Sequence, residues 1–565
     1  MTTISACDDP RAPGEGRDQS ALERIRAILG PSGIVSCDEE IDRLSRTIIP
    51  RSKRPVGFVY PESIDHLRSI MRIANEQRVP VWPCSKGKNW GYGSATAVRD
   101  GSLVIILERM NKIVEVNEEL AYAIVEPGVT YRQLHEHLQE RGSKLWLDCT
   151  DGPADASVMG NALERGVGET PYGDHFGNIC GMEVMLPDGE IFQTGGGPFG
   201  RYKSWNTYKW GVGPYLEGLF SQSNYGIVTR VGMWLMPQPP CFLSCLFELK
   251  REEDLPALAD ALRRLQLNGA IQSKVHLIND AISLAIVADD TRTLRSDGAC
   301  LSDEEMAALR RKHQVAPWTF AAGLYGTSGQ VRANVRLIRK ELRRYGRLRF
   351  IGDRQIKVIR RLLDVAERSK RRPATAWCAD ALAKWVFRKP LPLVELLPNV
   401  HAIEKGYPSD YFVKHAYFKC RRPKPDDDDI DPARDNCGLI WLGPMVPLDG
   451  PHTEEILTLC RPLYAEHGFE FTVAMMIGNA RTNIALMSIF YDRDDPDETR
   501  RAEALYYEIG KVTQAAGYQQ YRTSVAYMDR ILAPAPEFLD VSRRIKAALD
   551  PNDILAPGKY GIDAA

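Results

Sequence analysis

A chain of 565 residues exceeds what a single hydrophobic core usually supports, so two domains are expected. Its 73 basic and 74 acidic residues almost cancel, which excludes the excess positive charge typical of nucleic-acid binders and of proteins attracted to anionic membranes. No apolar run reaches the roughly eighteen residues of a membrane-spanning helix, so we expect no membrane span.

The cysteines and the N-terminal residues indicate the cellular compartment of the protein. The twelve cysteines form no CxxC pair and no metal-ligand spacing, so we expect reduced thiols and no metal site. Residues 1–20 lack the apolar core of a secretion signal, and their glycine, proline and charge content predicts a disordered tail. These features together predict a cytoplasmic protein.

The first half of the chain, from about residue 21 to residue 236, alternates short apolar strands with helices. Ser63 precedes a helical repeat of apolar residues, and Thr130 with Gln133 has the pattern of a capping box ahead of a second helix. Apolar runs between turn-forming residues predict four buried strands, at Val81–Trp82, Leu103–Leu107, Glu183–Leu186 and Ile227–Leu235.

The pattern changes after Pro237–Pro240. Longer and more charged helices are predicted at 302–314, 331–344, 355–368 and 452–466, with strands at 348–351 and 438–442. This mixture indicates an α+β layer, with helices covering an antiparallel sheet. Residues 421–436 are predicted to form a solvated loop. The sequence pattern changes again near Gly517.

A glycine-rich segment, Ser85–Ser94, lies between two of the predicted strands. Three glycines within seven residues let backbone N–H groups approach a ligand closely, and such a nest suits a pyrophosphate. Lys86 and Lys88 add positive charge. The GxGxxG pattern at 195–200, by contrast, is followed by residues that open a helix poorly, so it does not predict a Rossmann site.

Several sequence blocks carry a family resemblance. They occur in a fixed order between about residue 50 and residue 561, densely in the first half and the tail and sparsely between 240 and 435. After Ser85–Ser94 they are Val125–Tyr131, Lys144–Asp148, Met159–Gly168, Thr170–His175, Gly218–Arg230, Tyr521–Asp529 and Leu555–Lys559. With these blocks the chain resembles the vanillyl-alcohol oxidase / 4-cresol dehydrogenase family.

The resemblance implies a fold of the α+β class: a two-domain flavoprotein whose FAD-binding domain is built from both chain ends, with an inserted α+β cap domain. Residues 21–238 would form the first part of the FAD-binding domain, 239–510 the cap or substrate domain, and 511–565 the return to the FAD-binding domain. The pattern changes near Pro240 and Gly517 fit these boundaries independently.

The resemblance also implies which residues hold FAD. The pyrophosphate would lie against a run of five residues, Ser85, Lys86, Gly87, Lys88 and Asn89. Other parts of FAD would be lined by Gly160, Asn161, Asn224 and Gly226. Lys559 would approach the isoalloxazine ring.

The family's catalytic group matches three positions of this sequence, Tyr92, Tyr521 and Arg522. They would surround the hydroxyl oxygen of a para-substituted phenol. Two hydroxyl donors and a permanent cation would stabilise a phenolate in a dry pocket, so that a hydride can leave the para-benzylic carbon toward flavin N5. Water would then attack the resulting quinone methide.

Two further positions resemble catalytic carboxylates. Asp151 resembles the aspartate beside flavin N5 in the family's oxidases, but its segment is one residue longer here, which leaves Asp155 as the alternative. Glu470 resembles the glutamate that activates water in the 4-cresol dehydrogenases.

Several positions depart from the family pattern. Glu169 stands where an aromatic residue is usual, and Gly478–Asn483 stands where a Met-His-His group is common. The residues that attach FAD covalently in the family fall near Leu439 and Ala416, neither of which can do so. Tyr417 is the candidate for covalent attachment, with non-covalent FAD as the alternative.

These features predict an FAD-dependent oxidoreductase that acts on a 4-alkylphenol or a 4-hydroxybenzyl alcohol. The quinone methide would be hydrated, and the electrons would pass to a cytochrome-like acceptor. An oxidase of the same substrates, releasing hydrogen peroxide, is one alternative, and a catalytically silent binding protein is another. A homodimer is implied by the resemblance alone.

Overall fold

The computed structural model describes residues 16–200, 202–288, 300–369, 389–425 and 430–564. Within these ranges no helix combines the length and the apolar character needed to cross a bilayer. The ten cysteines described form no disulfide. The prediction of a disordered tail is wrong at its end because the first helix begins at Gly16, while residues 1–15 lie outside the described ranges.

The first layer of the fold consists of a four-stranded sheet and three helices: α1 (Gly16–Leu29), β1 (Ile34–Val35), α2 (Asp38–Leu44), β2 (Gly57–Val59), α3 (Ile64–Gln77), β3 (Val81–Cys84) and β4 (Leu103–Ile106). The strand order is β1-β2-β4-β3, with β2, β4 and β3 parallel. Helix α3 begins as predicted, because the Ser63 hydroxyl accepts a hydrogen bond from the His66 N–H at 3.2 Å. Its apolar stripe, including Leu67 and Ile70, is fully buried.

A five-stranded antiparallel sheet forms the second layer. Its strands are β5 (Ile113–Asn117), β6 (Tyr122–Val125), β8 (Ile179–Met185), β9 (Ile191–Gln193) and β10 (Ile227–Trp234). The same part of the chain contains the helices α4 (Tyr131–Glu140) and α5 (Val158–Leu163) and the short strands β7 (Leu145–Trp146) and β11 (Met236–Pro237). The order in this sheet is β5-β6-β10-β8-β9, while β11 pairs with β7. Thr130 caps α4 by accepting from the Gln133 N–H. The predicted capping box is only half formed, because the Gln133 side chain turns toward Asn111, to whose carbonyl its amide nitrogen donates.

The third layer is an antiparallel sheet of eight strands: β12 (Cys241–Leu249), β13 (Val275–Asn279), β14 (Trp318–Gly326), β15 (Gly346–Ile351), β16 (Cys437–Leu442), β17 (Met445–Pro447), β18 (Thr472–Ile477) and β19 (Thr482–Asp492). Its order is β15-β12-β14-β13-β18-β19-β16, and β17 pairs with β19. The helices of this part are α6 (Leu255–Leu267), α7 (Asp280–Val287), α8 (Asp303–His313), α9 (Ser328–Leu342), α10 (Asp353–Ser369), α11 (Leu391–Ile403), α12 (Gly450–Glu466) and α13 (Pro496–Ala515). The four helices predicted here are therefore confirmed as α8, α9, α10 and α12.

The two faces of the eight-stranded sheet differ. Side chains such as Phe247, Leu277 and Met475 point to one face and join the main apolar core, which α6, α9, α12 and α13 cover. Because side chains alternate along a strand, the intervening residues, including Met476 and Leu486, point to the other face. Both of these residues line an internal cavity. The sheet thus forms one wall of that cavity.

The end of the chain returns to the first layer through α14 (Met528–Ile531) and α15 (Pro536–Leu549). Leu555 forms a parallel bridge with Val81. The fully buried Lys546 ammonium lies 2.5 Å from Asp550 and donates to the Leu555 carbonyl at 2.7 Å, which fixes the path of the tail. We therefore propose the domain boundaries given by the sequence, 21–238, 239–510 and 511–565, since the eight-stranded sheet uses only residues 241–492.

Candidate active site

One elongated cavity lies between the first two layers and the eight-stranded sheet. It encloses about 1930 Å³ of space, part of it open to solvent. Most residues that the sequence assigns to FAD line it, namely Ser85, Lys86, Gly87, Lys88, Asn89, Gly160, Asn161, Gly226 and Lys559. Tyr92, Asp151, Tyr521 and Arg522 line it as well. The structure therefore brings both predicted groups to a common space.

The glycine-rich segment Ser85–Ser94 forms part of the cavity wall and packs closely against neighbouring side chains. Gly87 and Gly91 have φ angles of 65° and 76°, which favour glycine. A Cβ atom on Gly91 would lie 2.2 Å from the Trp441 ring, and one on Gly87 would lie 2.8 Å from the Ala95 Cβ. The turn therefore needs glycine at both positions, and its backbone stays open to close approach by a ligand.

Charged side chains of this turn already have partners. Lys86 Nζ lies 3.2 Å from a Glu108 carboxylate oxygen, and Lys88 Nζ lies 3.6 Å from Asp431. Asp431 and the cavity-lining Pro432 belong to the segment 421–436. The prediction of a solvated loop is therefore wrong for this part of the segment, because it closes one side of the cavity.

Helix α5 presents its first turn to the cavity. Ser157 begins the helix, its hydroxyl accepting from the Gly160 N–H at 2.9 Å and donating to the Pro127 carbonyl at 2.6 Å. A Cβ on Gly160 would lie 2.9 Å from the Ser85 hydroxyl, so glycine keeps the helix close to the glycine-rich turn. Asn161 Oδ1 lies 2.6 Å from His175 Nδ1, and this contact fixes the orientation of the Asn161 amide.

The chain end completes this half of the cavity. Lys559 Nζ lies 2.6 Å from Glu164 Oε1, and both residues line the cavity. Asn224, however, does not line it. Its amide nitrogen donates to the Ala556 and Ile562 carbonyls at 3.0 and 2.9 Å, so this side chain anchors the tail rather than contacting a cofactor. The glycine cradle, the helix N-terminal turn and the Lys559 ammonium together suit a flavin dinucleotide.

A second group of side chains lines the other part of the cavity. The hydroxyl oxygens of Tyr92 and Tyr521 lie 3.4 Å apart, and the Arg522 guanidinium carbon lies 3.8 Å from the centre of the Tyr92 ring and 5.2 Å from that of Tyr521. The Val525 N–H donates to the Tyr92 carbonyl at 2.9 Å, and the Tyr521 N–H donates to the Gly443 carbonyl at 3.0 Å. Backbone contacts therefore hold the C-terminal segment against both domains.

The electrostatics of this group favour a bound anion. Burial raises the pKa of Tyr521 well above its ordinary value, so its hydroxyl remains a donor. Burial acts to lower the pKa of Arg522, but the net shift is upward, so the guanidinium keeps its charge. Within the described residues the Arg522 Nε has no hydrogen-bond partner. A buried cation with an unused donor can hold an oxygen anion.

Only one of the two candidate aspartates, Asp151 and Asp155, lines the cavity. Asp151 lines the cavity and accepts a hydrogen bond from the Thr150 hydroxyl at 3.2 Å. Asp155 lies outside this cavity and forms an ion pair with Arg132 at 3.0 Å. The geometry therefore favours Asp151 for the role beside the flavin.

Glu470 lies away from the cavity, contrary to the sequence prediction. One carboxylate oxygen accepts from the Leu301 N–H at 3.1 Å, and the other lies 3.2 Å from Lys419 Nζ. Lys419 also lies 3.1 Å from Glu498, so the three side chains form a buried ion cluster. Glu470 turns into this cluster because the buried Lys419 ammonium requires carboxylate partners.

Tyr417 also points away from the cavity. Its hydroxyl donates to Asp435 at 2.6 Å, and its ring is fully buried among apolar residues. Burial raises its pKa far above the ordinary value for tyrosine. The neighbouring His415 and Ala416 line the cavity instead. The position of the Tyr417 side chain therefore argues against covalent attachment of FAD at this residue.

Sequence analysis did not assign several residues that line the cavity. Burial lowers the pKa of His415, whose Nδ1 donates to the Phe412 carbonyl. Trp441, Met476 and Leu486 come from the eight-stranded sheet. Alternation along β16, β18 and β19 could have identified the apolar residues, but only after the order of the strands was known.

Comparisons with known proteins agree with this geometry. Residues 55–195 match the family described as FAD binding domain, and residues 448–560 match FAD linked oxidases, C-terminal domain. The chain is 35% identical to 1'-carboxy-chondrochloren decarboxylase of Chondromyces crocatus, over 96% of this chain and 97% of the relative. It is 30% identical to the 4-cresol dehydrogenase [hydroxylating] flavoprotein subunit of Pseudomonas putida, over 98% and 97%.

Solved structures show the same architecture. The chain matches p-cresol methylhydroxylase with a TM-score of 0.83 at 27% identity, over 97% of this chain and 98% of the other. It matches 4-ethylphenol oxidase from Gulosibacter chungangensis with a TM-score of 0.85 at 27% identity, over 98% of both chains. The protein is an FAD-linked oxidoreductase with the two-domain FAD-binding fold. The chain belongs to the vanillyl-alcohol oxidase / 4-cresol dehydrogenase family.

Proposed function

We propose that this enzyme removes a hydride from the benzylic carbon of a para-substituted phenol. The observation that carries the proposal is the group of Tyr92, Tyr521 and Arg522 in the same cavity as the residues suited to FAD. Two hydroxyls 3.4 Å apart can both donate to one oxygen that lies to one side of them, about 2.7 Å from each. Arg522 supplies the positive charge that a phenolate needs.

The substrate then reacts because its ring is electron-rich. Stabilising the phenolate raises the electron density at the para carbon, so a hydride leaves the benzylic position and a quinone methide forms. When bound, FAD supplies the two-electron acceptor for this hydride. A preorganised donor at such an oxygen is worth about 3 kcal/mol of the barrier.

We propose that Asp151, and not Glu470, activates the water that attacks the quinone methide. A carboxylate that lines the cavity can accept a proton from water as the water attacks the benzylic carbon. The product is then a 4-hydroxybenzylic alcohol. A cytochrome-like protein is our proposed electron acceptor, and the relative named as a flavoprotein subunit supports it. A homodimer remains part of the proposal.

Use of oxygen as the acceptor is the alternative for the same chemistry, supported by the similarity to a 4-ethylphenol oxidase. Oxygen consumption during turnover with 4-ethylphenol separates the two. We expect slow oxygen uptake and fast reduction of an artificial electron acceptor. Rapid release of hydrogen peroxide would identify an oxidase.

A second candidate function is oxidative decarboxylation, favoured by the 35% identity to a decarboxylase over nearly the whole chain. Suppose that the carbon next to the benzylic carbon carries a carboxylate. Once the hydride has left, the bond to the carboxylate breaks, its electron pair forms a carbon–carbon double bond, and the ring regains its phenolate. Carbon dioxide leaves, and the product is a 4-vinylphenol.

Anaerobic mixing of the holoenzyme with a phenol tests the proposed function. We expect 4-propylphenol to bleach the flavin absorbance rapidly. Its isomer 3-propylphenol is the control, because a meta substituent cannot give a para-quinone methide. Equal reduction by both isomers, or by neither, would contradict the proposal, and the second result would favour a silent binding protein.

A further inference from the structure

A polar cluster adjoins the cavity on the side of the eight-stranded sheet. It consists of Glu169, Lys274 and His276. In the sheet, His276 of β13 is paired directly with Met476 of β18, and paired residues point to the same face. Met476 lines the cavity, so His276 faces the cavity side of the sheet. Lys274 immediately precedes β13 and interacts electrostatically with Glu169.

Glu169 reaches this cluster from the FAD-binding domain. It lies in the segment between Gly168 and Thr170, after helix α5. Asp148 holds its loop in place, because its carboxylate accepts from the Glu169 and Thr170 N–H groups at 2.9 and 3.2 Å. The Glu169 carboxylate then lies 3.5 Å from His276 Nδ1.

The cluster has unused hydrogen-bonding capacity. Glu169 Oε1, Lys274 Nζ and His276 Nε2 are buried, and none has a hydrogen-bond partner within the described ranges. Buried polar groups are nearly always hydrogen-bonded, and a buried ammonium without a partner is especially costly. Three such atoms at one site indicate that the site receives a polar group from outside the chain.

The charge state of the cluster suits an anion. Burial raises the pKa of Glu169 well above its ordinary value, so the carboxyl can donate a proton in a hydrogen bond. Burial lowers the pKa of Lys274 to about 8, and the neighbouring acidic groups of Glu169, Asp148 and Asp151 oppose this shift. Burial lowers the pKa of His276 to about 4, and its ring is neutral.

We propose that Glu169, Lys274 and His276 bind a carboxylate on the para substituent of the phenol. The Lys274 ammonium supplies the charge, and the Glu169 carboxyl supplies a second donor. Because Asp151 lines the cavity and interacts electrostatically with both Lys274 and His276, the cluster lies next to the Asp151 wall of the cavity. The inference rests on the proposed function, and it assigns the substrate to the class of 4-hydroxyphenyl carboxylic acids.

The test compares 3-(4-hydroxyphenyl)propanoate with 4-propylphenol, which lacks the carboxylate but has a similar chain. Apparent Kd values come from the concentration dependence of anaerobic flavin reduction in the holoenzyme. We expect the acid to bind at least tenfold more tightly than 4-propylphenol. In Lys274→Met we expect that preference to collapse, since loss of one partner of a buried charge pair costs on the order of 10²-fold.

Two further variants separate recognition from misfolding. Lys274→Arg keeps a cation and should retain much of the preference, whereas Lys250→Met makes the same change at an exposed position of the same domain and should not alter it. If both phenols reduce the flavin but the acid has no advantage, or if Lys274→Met leaves the ratio unchanged, the cluster holds only internal water and the inference is wrong. If neither phenol reduces the flavin, the proposed function itself fails.

Discussion

The hydroxyl groups of Tyr92 and Tyr521 meet at 3.4 Å although 429 positions separate them in the sequence. Tyr92 lies within the glycine-rich segment Ser85–Ser94, and Tyr521 follows helix α13. The backbone hydrogen bond from Val525 to Tyr92 keeps them together. The group of Tyr92, Tyr521 and Arg522 therefore forms only when the two ends of the chain are brought together.

Removal of one donor or of the cation should slow flavin reduction. We expect Tyr521→Phe and Arg522→Gln each to reduce the rate with 4-propylphenol on the order of 10²-fold, because each removes a preorganised interaction with the phenolate. For Arg522→Gln the rise of the rate with pH should also move to higher pH, since the bound phenol loses a cation that lowers its pKa. Stopped-flow reduction across a pH series measures both effects, and an unchanged rate in both variants would refute the phenolate account.

Gly91 should be essential for FAD retention. A Cβ at this position would lie 2.2 Å from the Trp441 ring, so Gly91→Ala should displace the turn and lower the flavin content of the purified protein. Gly101→Ala is a matched control, because Gly101 has a φ of 78°, similar to the 76° of Gly91, but no atom within 4 Å of the added carbon. Equal flavin loss in both variants would mean that backbone strain, and not the collision, is responsible.

Glu470 should contribute to stability and not to catalysis. Glu470→Gln leaves Lys419 with one carboxylate partner in place of two, and breaking a buried ion pair costs on the order of 3 kcal/mol. We expect a lower free energy of unfolding by denaturant titration. The rate of flavin reduction per bound FAD should stay within about twofold of the wild type, and a large fall in that rate would restore Glu470 to the active site.

Tyr417 should have no part in holding the flavin. Its hydroxyl donates to Asp435, so Tyr417→Phe should cost about 1 kcal/mol of stability through the lost hydrogen bond. The partition of flavin between pellet and supernatant after acid precipitation should be the same as in the wild type. Flavin that moves from pellet to supernatant in this variant would show that Tyr417 is the attachment site.

Glu404 should make the fold less stable as pH rises. Burial raises its pKa to about 8, opposed by the Ser244 hydroxyl, whereas an unfolded glutamate loses its proton near pH 4.3. The folded state therefore holds the extra proton, and stability declines from about pH 5 to about pH 8. Glu404→Gln removes this term, so the difference in unfolding free energy between variant and wild type should grow with pH. A constant difference would contradict this assignment.

Local pattern was sufficient for much of the fold and for part of the site. Ser63 and Thr130 marked helix starts because a capping side chain acts within three residues. Tyr92, Tyr521 and Arg522 were predicted to form one group from the family resemblance of their blocks, and the structure brings their side chains together. Glu470 and Tyr417 could not be placed, because the direction of each depends on a distant partner.

The site residues that the sequence did not predict depend on contacts between distant parts of the chain. The sequence drew attention to Glu169 as an unusual charge, but its neighbours Lys274 and His276 come from the other side of the cavity. The position of His276 on the cavity side of the sheet follows from the pairing of β13 with β18, which joins segments about 200 positions apart. A single sequence carries no local signal for that pairing.

The most direct test of the account is the ionisation state of a bound phenol that cannot be oxidised. The ultraviolet absorbance of 4-hydroxybenzaldehyde distinguishes its phenol from its phenolate. We expect the ligand to bind to the wild type as the phenolate at a pH well below its solution pKa, and to bind to Arg522→Gln mostly in the neutral form. Neutral ligand in the wild-type site, or the same phenolate fraction in both proteins, would contradict the central claim.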